Sequence, residues 1–254
     1  MNRVYSSLFI SFLCISNNVV SQNYDWYSNF LWMNDYSINQ QPQDTYFTKA
    51  KTNVRTERVD LKLYYEVLCP DCIDLDRTQF KHIVNVLSPY LTITTYPYGN
   101  AQTIEKNGKV QFKCQHGPKE CYGNKLHACT LQHITNHRQA LLFNICMMEP
   151  NNKTRGSDDA SATRCSREMR ISKNAITQCA KGQEGNQLLK YYGEESRIAN
   201  FEYVPYVLIN GLEWKGTDLM HDVCAAFHDP PGVCFDNKNA IDGGYFVQRT
   251  GYFD

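Results

Sequence analysis

The sequence lacks an excess of either charge: 26 lysines and arginines stand against 26 aspartates and glutamates in 254 residues. A chain so balanced has no basic surplus to draw it to phosphate backbones or to an anionic membrane, which excludes nucleic acid as an expected partner. It also lacks a long apolar run. The stretch from about Val4 to Ile15 is well short of the ~20 residues that span a bilayer, and no later stretch is long enough, so no stable membrane insertion is expected. That first stretch follows a short polar start with Arg3 and precedes small residues, Val19 and Ser21, suited to cleavage before Gln22. Residues 1–21 are therefore read as a secretory signal peptide, with a membrane anchor as the alternative that the short run disfavours. Its removal takes away Arg3, no acid, and Cys14, and leaves a net charge of −1.

Cysteine, by contrast, is abundant. A chain of this length can bury a real core and does not need disulfides merely to fold. Ten cysteines nonetheless remain after the signal: Cys69, Cys72, Cys114, Cys121, Cys129, Cys146, Cys165, Cys179, Cys224 and Cys234. An even count in an oxidising secretory route argues for disulfides over free thiols. Asn152-Lys153-Thr154 is a glycosylation sequon and agrees with that route.

Residues 22–57 are rich in Tyr, Trp, Asn and Gln without a clear period and are read as an N-terminal extension or propeptide. From Val59 the pattern changes. Val59, Leu61, Leu63, Tyr65 and Val67 alternate with more polar neighbours, the period-2 mark of a strand with one apolar face, here expected to end at Cys69. Ile73, Phe80, Ile83, Val84 and Leu87 then recur at helical spacing until Pro89 stops the helix. Tyr90 to Ala101 reads as a second strand, which makes a βαβ unit. The middle of the chain predicts helices over 124–148 and 171–193 around a polar loop, Glu149 to Ser161. Near the end, 203–214 predicts a strand with an Asn210-Gly211 hairpin turn, and 218–229 a terminal helix.

Within this frame one short stretch, "YYEVLCPDCIDL", carries chemistry. Cys69 falls at the strand-to-helix junction, with Pro70 at a position that tolerates a missing N–H. Unpaired N–H groups and the positive end of the helix dipole favour a thiolate there. Cys72 faces the same side of the first turn and can close a small, reversible disulfide with Cys69. An inert disulfide and half of a zinc site are the alternatives; the βα context favours the redox pair. Asp71 brings negative charge beside Cys69, which opposes the thiolate and leans toward a reductase over an oxidase. Val204-Pro205 precedes the late strand, where thioredoxin-like folds place a cis proline against the redox cysteines.

"CQHGPKECYGNKLHAC", Cys114 to Cys129, adds a pattern with no mechanism legible in it. Cys-Gln-His-Gly, Glu120-Cys121, Asn124 and Cys129 resemble the signature of the gamma-interferon-inducible lysosomal thiol reductase (GILT) family. The likeness runs from about Leu61 to Cys234 and includes "PYGNA" at 97–101 and "VPYVLING" at 204–211. The resemblance implies an α/β, thioredoxin-like fold over 58–234 with a disulfide-rich helical insertion at about 110–195, and a C-terminal tail over 235–254. It implies a thiol-disulfide reductase of acidic endosomes or lysosomes, or one that acts after secretion. Cys69 and Cys72 would be its redox pair, with Val204 and Pro205 positioning the substrate. No cofactor is implied; the partners would be disulfide-containing protein substrates and a small-thiol or thiol-protein reductant. Cys114, Cys121, Cys129, Cys146, Cys165, Cys179, Cys224 and Cys234 are expected in structural disulfides, although Cys114, His116, Cys121 and Cys129 could by ligand type bind zinc. His133 and His137, one helical turn apart, are read as a solvated face. A disulfide isomerase or oxidase, or a secreted binding protein that uses its aromatic extension from Tyr24 to Phe47, are the rival functions.

Overall fold

β1 (Val59–Tyr65) buries Val59, Leu61, Leu63 and Tyr65 on one face, as the alternation predicts. The computed structural model describes residues 58–150 and 156–235. The signal peptide, the N-terminal extension, the sequon at Asn152 and the tail beyond Phe235 lie outside the described residues. β1 stops at Tyr65, four residues before Cys69, because the chain turns through Glu66–Leu68 and Cys69 N–H bonds back to the Glu66 carbonyl at 3.4 Å. A helical run follows in three pieces: α1 (Pro70–Leu75), a π-helical turn (Asp76–Phe80) and α2 (Lys81–Val86). A single 3₁₀ turn, Ser88–Tyr90, leads into β2 (Leu91–Pro97).

β1 and β2 pair in parallel, with Val59 opposite Leu91 and Tyr65 opposite Pro97. Two parallel strands require a crossover, which the α1–α2 run supplies. β5 (Tyr206–Ile209) pairs antiparallel with the other edge of β1, and β6 (Leu212–Glu213) closes the sheet in the order β2-β1-β5-β6. The hairpin between β5 and β6 turns at Asn210 (φ 50°) and Gly211 (φ 79°), the two positive φ values that favour this dipeptide. Asn210 also accepts the Asp60 N–H through Oδ1 at 2.8 Å, which ties the turn to the start of β1. The sheet core is aliphatic: Leu61, Val67, Ile83, Val84, Leu87 and Val223 are fully buried.

Everything between β2 and β5 is insertion, and it begins earlier than the sequence indicates. A separate hairpin of β3 (Gln102–Lys106) and β4 (Lys109–Lys113) precedes the helices. Then come α3 (Pro118–His133), α4 (His137–Met148), α5 (Asp159–Met169), α6 (Asn174–Lys181) and α7 (Gln183–Ala199). α5 starts inside the segment expected to be loop, because Asp158 and Ser161 form a reciprocal capping box. α8 (Leu219–Ala225) follows the sheet. His133 and His137 do not share a helix: α3 ends at His133, and His137 opens α4. Their ring nitrogens go to Glu184 (3.1 Å) and to the Ile93 carbonyl (2.7 Å).

Four disulfides cross-link this framework: Cys114–Cys121, Cys129–Cys179, Cys146–Cys165 and Cys224–Cys234. Cys129–Cys179 joins α3 to α6 across a sequence separation of 50, against 7 for Cys114–Cys121. Loop-closure entropy scales with the logarithm of that separation, so deleting the pairs should cost about 4 kcal/mol and about 2 kcal/mol respectively. Urea unfolding of the two paired Cys→Ala variants tests the order; equal losses would show that strain or residual structure governs instead. With Cys114, Cys121 and Cys129 oxidised, the zinc reading of the signature falls, since a disulfide sulfur offers no thiolate to a metal.

Candidate active site

Cys69 and Cys72 are the two free cysteines among the described residues. Cys69 is the N-cap of α1 in an extended conformation (φ −64°, ψ 122°), and its sulfur accepts the Cys72 N–H at 3.4 Å. Pro70 follows, so the first helical position spends no N–H that a cap would have to satisfy. Across from the pair, the Val204 carbonyl lies 3.7 Å from Cys69 Sγ, and the Val204-Pro205 bond is cis. Cys69 and the segment before β5, 135 residues apart in sequence, thus meet in one place.

The two thiols are driven apart in acidity. A hydrogen bond from the Cys72 thiol, with further ones from the Cys72 and Asp71 backbone, outweighs burial and lowers Cys69 to about 6. The Asp71 carboxylate opposes this, as its charge predicts, but its own N–H acts the other way. Cys72 moves in the opposite direction: burial raises it, and so do its hydrogen bond to Cys69 and the negative charge of the Cys69 thiolate. The pair titrates as a unit, with the first charge on Cys69 and the proton retained on Cys72. At about pH 5 a thiol of pKa about 6 is ionised in roughly one molecule in ten; an ordinary cysteine of pKa ~8.5 is ionised in roughly one in three thousand.

Glu66 was legible in the sequence only as a polar position of the strand expected to run to Cys69, and the structure places it in the turn after β1. It is buried three residues before Cys69 and raised to about 7, mainly by burial, with the Asn100 N–H working against that rise and Glu120 reinforcing it. The charged residue immediately upstream of a C-x-x-C was the signal available for it. Its Oε2 accepts the Asn100 N–H at 2.9 Å. Its Oε1 has no hydrogen-bond donor and lies 3.3 Å from Nδ1 of His116, the histidine of the signature. Glu120, also buried, holds the same Nδ1 at 2.7 Å and accepts the His116 backbone N–H at 2.9 Å.

Two other buried ionisable groups flank the region. Burial raises Asp76 to about 8, helped by Glu149, and burial lowers His127 to about 3, so the imidazole is neutral between the Tyr65 hydroxyl and the Ser157 hydroxyl, each at 2.7 Å. Glu66 and Asp76 start from 4.5 and 3.8, so from mild acid to about pH 8 the native chain holds protons that the unfolded chain has released. Their stabilising contribution is fully present below those unfolded values and is lost as pH rises through 7 and 8. His127 has the opposite sign, but only below 6.5. Cys69, lowered to about 6 from 9.0, opposes any further fall above pH 6 while the pair is reduced, so stability should peak near pH 4 and fall between about 4.5 and 6 by about 1.4 kcal/mol per pH unit, the net of Glu66 and Asp76 against His127. Urea midpoints across that range measure it; stability that rises from about pH 4.5 toward about pH 6 would overturn the assignment of protons to Glu66 and Asp76.

A parallel strand–helix–strand unit, a C-x-x-C whose first cysteine caps the helix, and a proline segment facing that cysteine define the thioredoxin-like class. Two solved structures from Mycobacterium tuberculosis share the fold with a TM-score of 0.50 at 16% identity. The reduced disulfide bond oxidoreductase DsbG is matched over 74% of this chain and 86% of its own, and reduced DsbA over 74% and 90%. Within that class the chain belongs to the gamma interferon inducible lysosomal thiol reductase (GILT) family, whose model matches residues 60–169. A thiol reductase-like protein of this family from Anopheles gambiae is 34% identical over 209 residues, covering 74% of this chain and 84% of the relative. GILT-like protein 1 of Drosophila melanogaster is 33% identical over 72% and 81%, and the Mus musculus lysosomal thiol reductase 32% identical over 69% and 71%. Membership assigns the chain to the thiol-disulfide reductases.

Proposed function

We propose that this protein reduces disulfides in protein substrates through Cys69 and Cys72, in an acidic endosomal or lysosomal compartment or after secretion. The observation that carries the reading is the opposed acidity of two adjacent thiols at one helix N-terminus. The Cys69 thiolate attacks one sulfur of the substrate disulfide; a Cys69–substrate disulfide forms, and the other substrate sulfur leaves as a thiolate that takes up a proton. Cys72 then loses its proton and attacks Cys69 Sγ, which releases the second substrate thiol. The substrate gains two electrons and the Cys69–Cys72 pair loses them. A small-thiol or thiol-protein reductant returns the pair to dithiol.

Val204 and Pro205 act here as the substrate-positioning segment, since the Val204 carbonyl already faces the attacking sulfur. The eight remaining cysteines are structural. The sequon at Asn152 and the signal peptide belong to the same secretory reading, and the lysosomal names of the relatives favour an acidic destination. Reduction of insulin at about pH 5 and about pH 7, with and without a Cys69→Ser substitution, tests the assignment, because only the more acidic thiol, Cys69, should retain turnover in acid. Net oxidation of a reduced substrate in a glutathione buffer would favour an oxidase or isomerase. Insulin reduction that persists without Cys69 would overturn the role given to it.

A further inference from the structure

Two sequence motifs that the redox chemistry does not use converge on one side chain. In the "PYGNA" turn, Gly99 has a φ of +62°, and a Cβ there would come within 2.3 Å of Glu66 Oε2, so glycine is required for the backbone to close over the carboxylate. The next residue, Asn100, gives its N–H to that oxygen, and its side-chain amide bonds Gln115 at 2.8 Å. Gln115 and His116 lie in the loop that Cys114–Cys121 staples to the first turn of α3, where Glu120 lies. Both carboxylates are therefore held through their outer oxygens by backbone N–H groups, and both aim their remaining oxygen at a single imidazole nitrogen. One N–H cannot serve two acceptors fully, and Glu66 Oε1 is the one left over. Two buried carboxylates with one imidazolium at the surface carry a negative charge that only one more proton removes.

We infer that Glu66, His116 and Glu120 form a proton-loaded positioning cluster for the redox pair: with a proton on Glu66 the cluster stops opposing the Cys69 thiolate, so the nucleophile stays available in acid. The inference rests on the reading of Cys69 as nucleophile. The groups that face Glu66 are few. From α3 and its preceding loop come Glu120 and His116; from the redox helix come Cys69 and Cys72; from the turn after β2 comes only the Asn100 N–H, since the Tyr98 hydroxyl is engaged by Thr103. Cys69 itself also faces the Asp71 carboxylate.

The couplings have the required signs. The Cys69 thiolate raises Glu66 and His116, and by reciprocity a proton on either favours the thiolate. At His116 burial works against the imidazolium, but the Glu120 hydrogen bond and the charges of Glu120, Glu66 and Cys69 outweigh it and raise the ring above its ordinary value. In mild acid the cluster thus holds a neutral Glu66 and an imidazolium paired with Glu120. As pH rises, Glu66 releases its proton to solvent, and the cluster places a full negative charge beside the pair. Only a proton moves in this step, from the Glu66 carboxyl to water, and no electrons are transferred.

The test is the pH profile of Cys69 alkylation by iodoacetamide in the reduced full chain, read by peptide mass spectrometry with and without chelator. In the unsubstituted protein the profile should be broader than a single-site curve, because Cys69 and Glu66 titrate against each other. Glu66→Gln, which preserves the shape and the Asn100 bond, should sharpen it to one site and bring the plateau to lower pH. His116→Asn, at a partly exposed position, should reduce alkylation at about pH 5 on the order of tenfold, the equivalent of one pKa unit. A merely structural role would leave the shape of the curve unchanged. Profiles of both variants that superimpose on the unsubstituted one would overturn the inference while leaving Cys69 as nucleophile. An unreactive Cys69 in every form would overturn the reading beneath it. A broad profile seen only without chelator would mean that a metal ion, not a proton, fills the cluster, and the inference would fail.

Discussion

Cys69→Ser is expected to reduce disulfide turnover to the uncatalysed background, while Cys72→Ser is expected to accumulate a covalent adduct with substrate. The asymmetry follows from where the structure places charge. Cys69 caps the helix, accepts the Cys72 N–H and is lowered to about 6, so it is the sulfur able to attack. Cys72 is buried and raised by that burial, so it reacts only after Cys69 has been consumed and its negative charge is gone. A hydroxyl at position 69 has no thiolate to offer, and no adduct forms. A hydroxyl at position 72 leaves the attack intact and removes the resolving step, so the Cys69–substrate disulfide persists and migrates as a larger species on a non-reducing gel. An adduct through Cys72 in the Cys69→Ser protein, with none in the reciprocal variant, would reverse the roles. Undiminished turnover in both would place the chemistry elsewhere.

Parts of this arrangement were open to reading because they depend on neighbours in sequence. The alternation Val59-Leu61-Leu63-Tyr65 reports which face of β1 is buried, and Asn210-Gly211 reports a turn that needs two positive φ values; both stand as read. The β3–β4 hairpin carried a similar signal, Asn107-Gly108, and both residues do adopt positive φ. Its strands are mostly exposed, however, so they lack the apolar alternation that makes a strand visible in sequence. The start of α5 was hidden for a related reason, since its capping residues Asp158 and Ser161 sit in a polar stretch that composition assigns to loop. At the site, the C-x-x-C spacing together with its strand-to-helix context pointed to Cys69 and Cys72. Glu66 was not exposed, because its meaning depends on Asn100 and His116, which reach it from two separate loops. Periodicity reports burial along one element and carries no information about which loops close over it.

The signature asparagine illustrates the same limit, and its replacement should have a large stability effect. Asn124 is fully buried on α3. Its Oδ1 accepts the Val67 N–H at 3.1 Å, and its Nδ2 donates to the Tyr98 carbonyl at 3.3 Å. Val67 lies two residues before Cys69, and Tyr98 directly precedes Gly99, so one amide ties the insertion to both the redox loop and the turn that covers Glu66. Asn124→Leu keeps the volume but strands the buried Val67 N–H and leaves the Tyr98 carbonyl with only the Ala101 N–H, at 3.4 Å. At about 1–3 kcal/mol for the unsatisfied N–H and about 1 kcal/mol for the hydrogen bond lost at the carbonyl, the loss should be on the order of 2–4 kcal/mol, a large share of the stability of a domain. Asn124→Asp separates the two bonds. An ionised carboxylate can still accept from Val67 but repels the Tyr98 carbonyl, whereas a protonated one restores a donor. The buried acid should therefore hold its proton above the ordinary carboxylate range, and its stability should recover as pH falls. The Leu variant has no such group, so its deficit relative to the unsubstituted chain should not change with pH. Urea unfolding of both variants at about pH 5 and about pH 8 makes the comparison, and a Leu variant within about 0.5 kcal/mol of the unsubstituted chain would show that Asn124 is not the clamp.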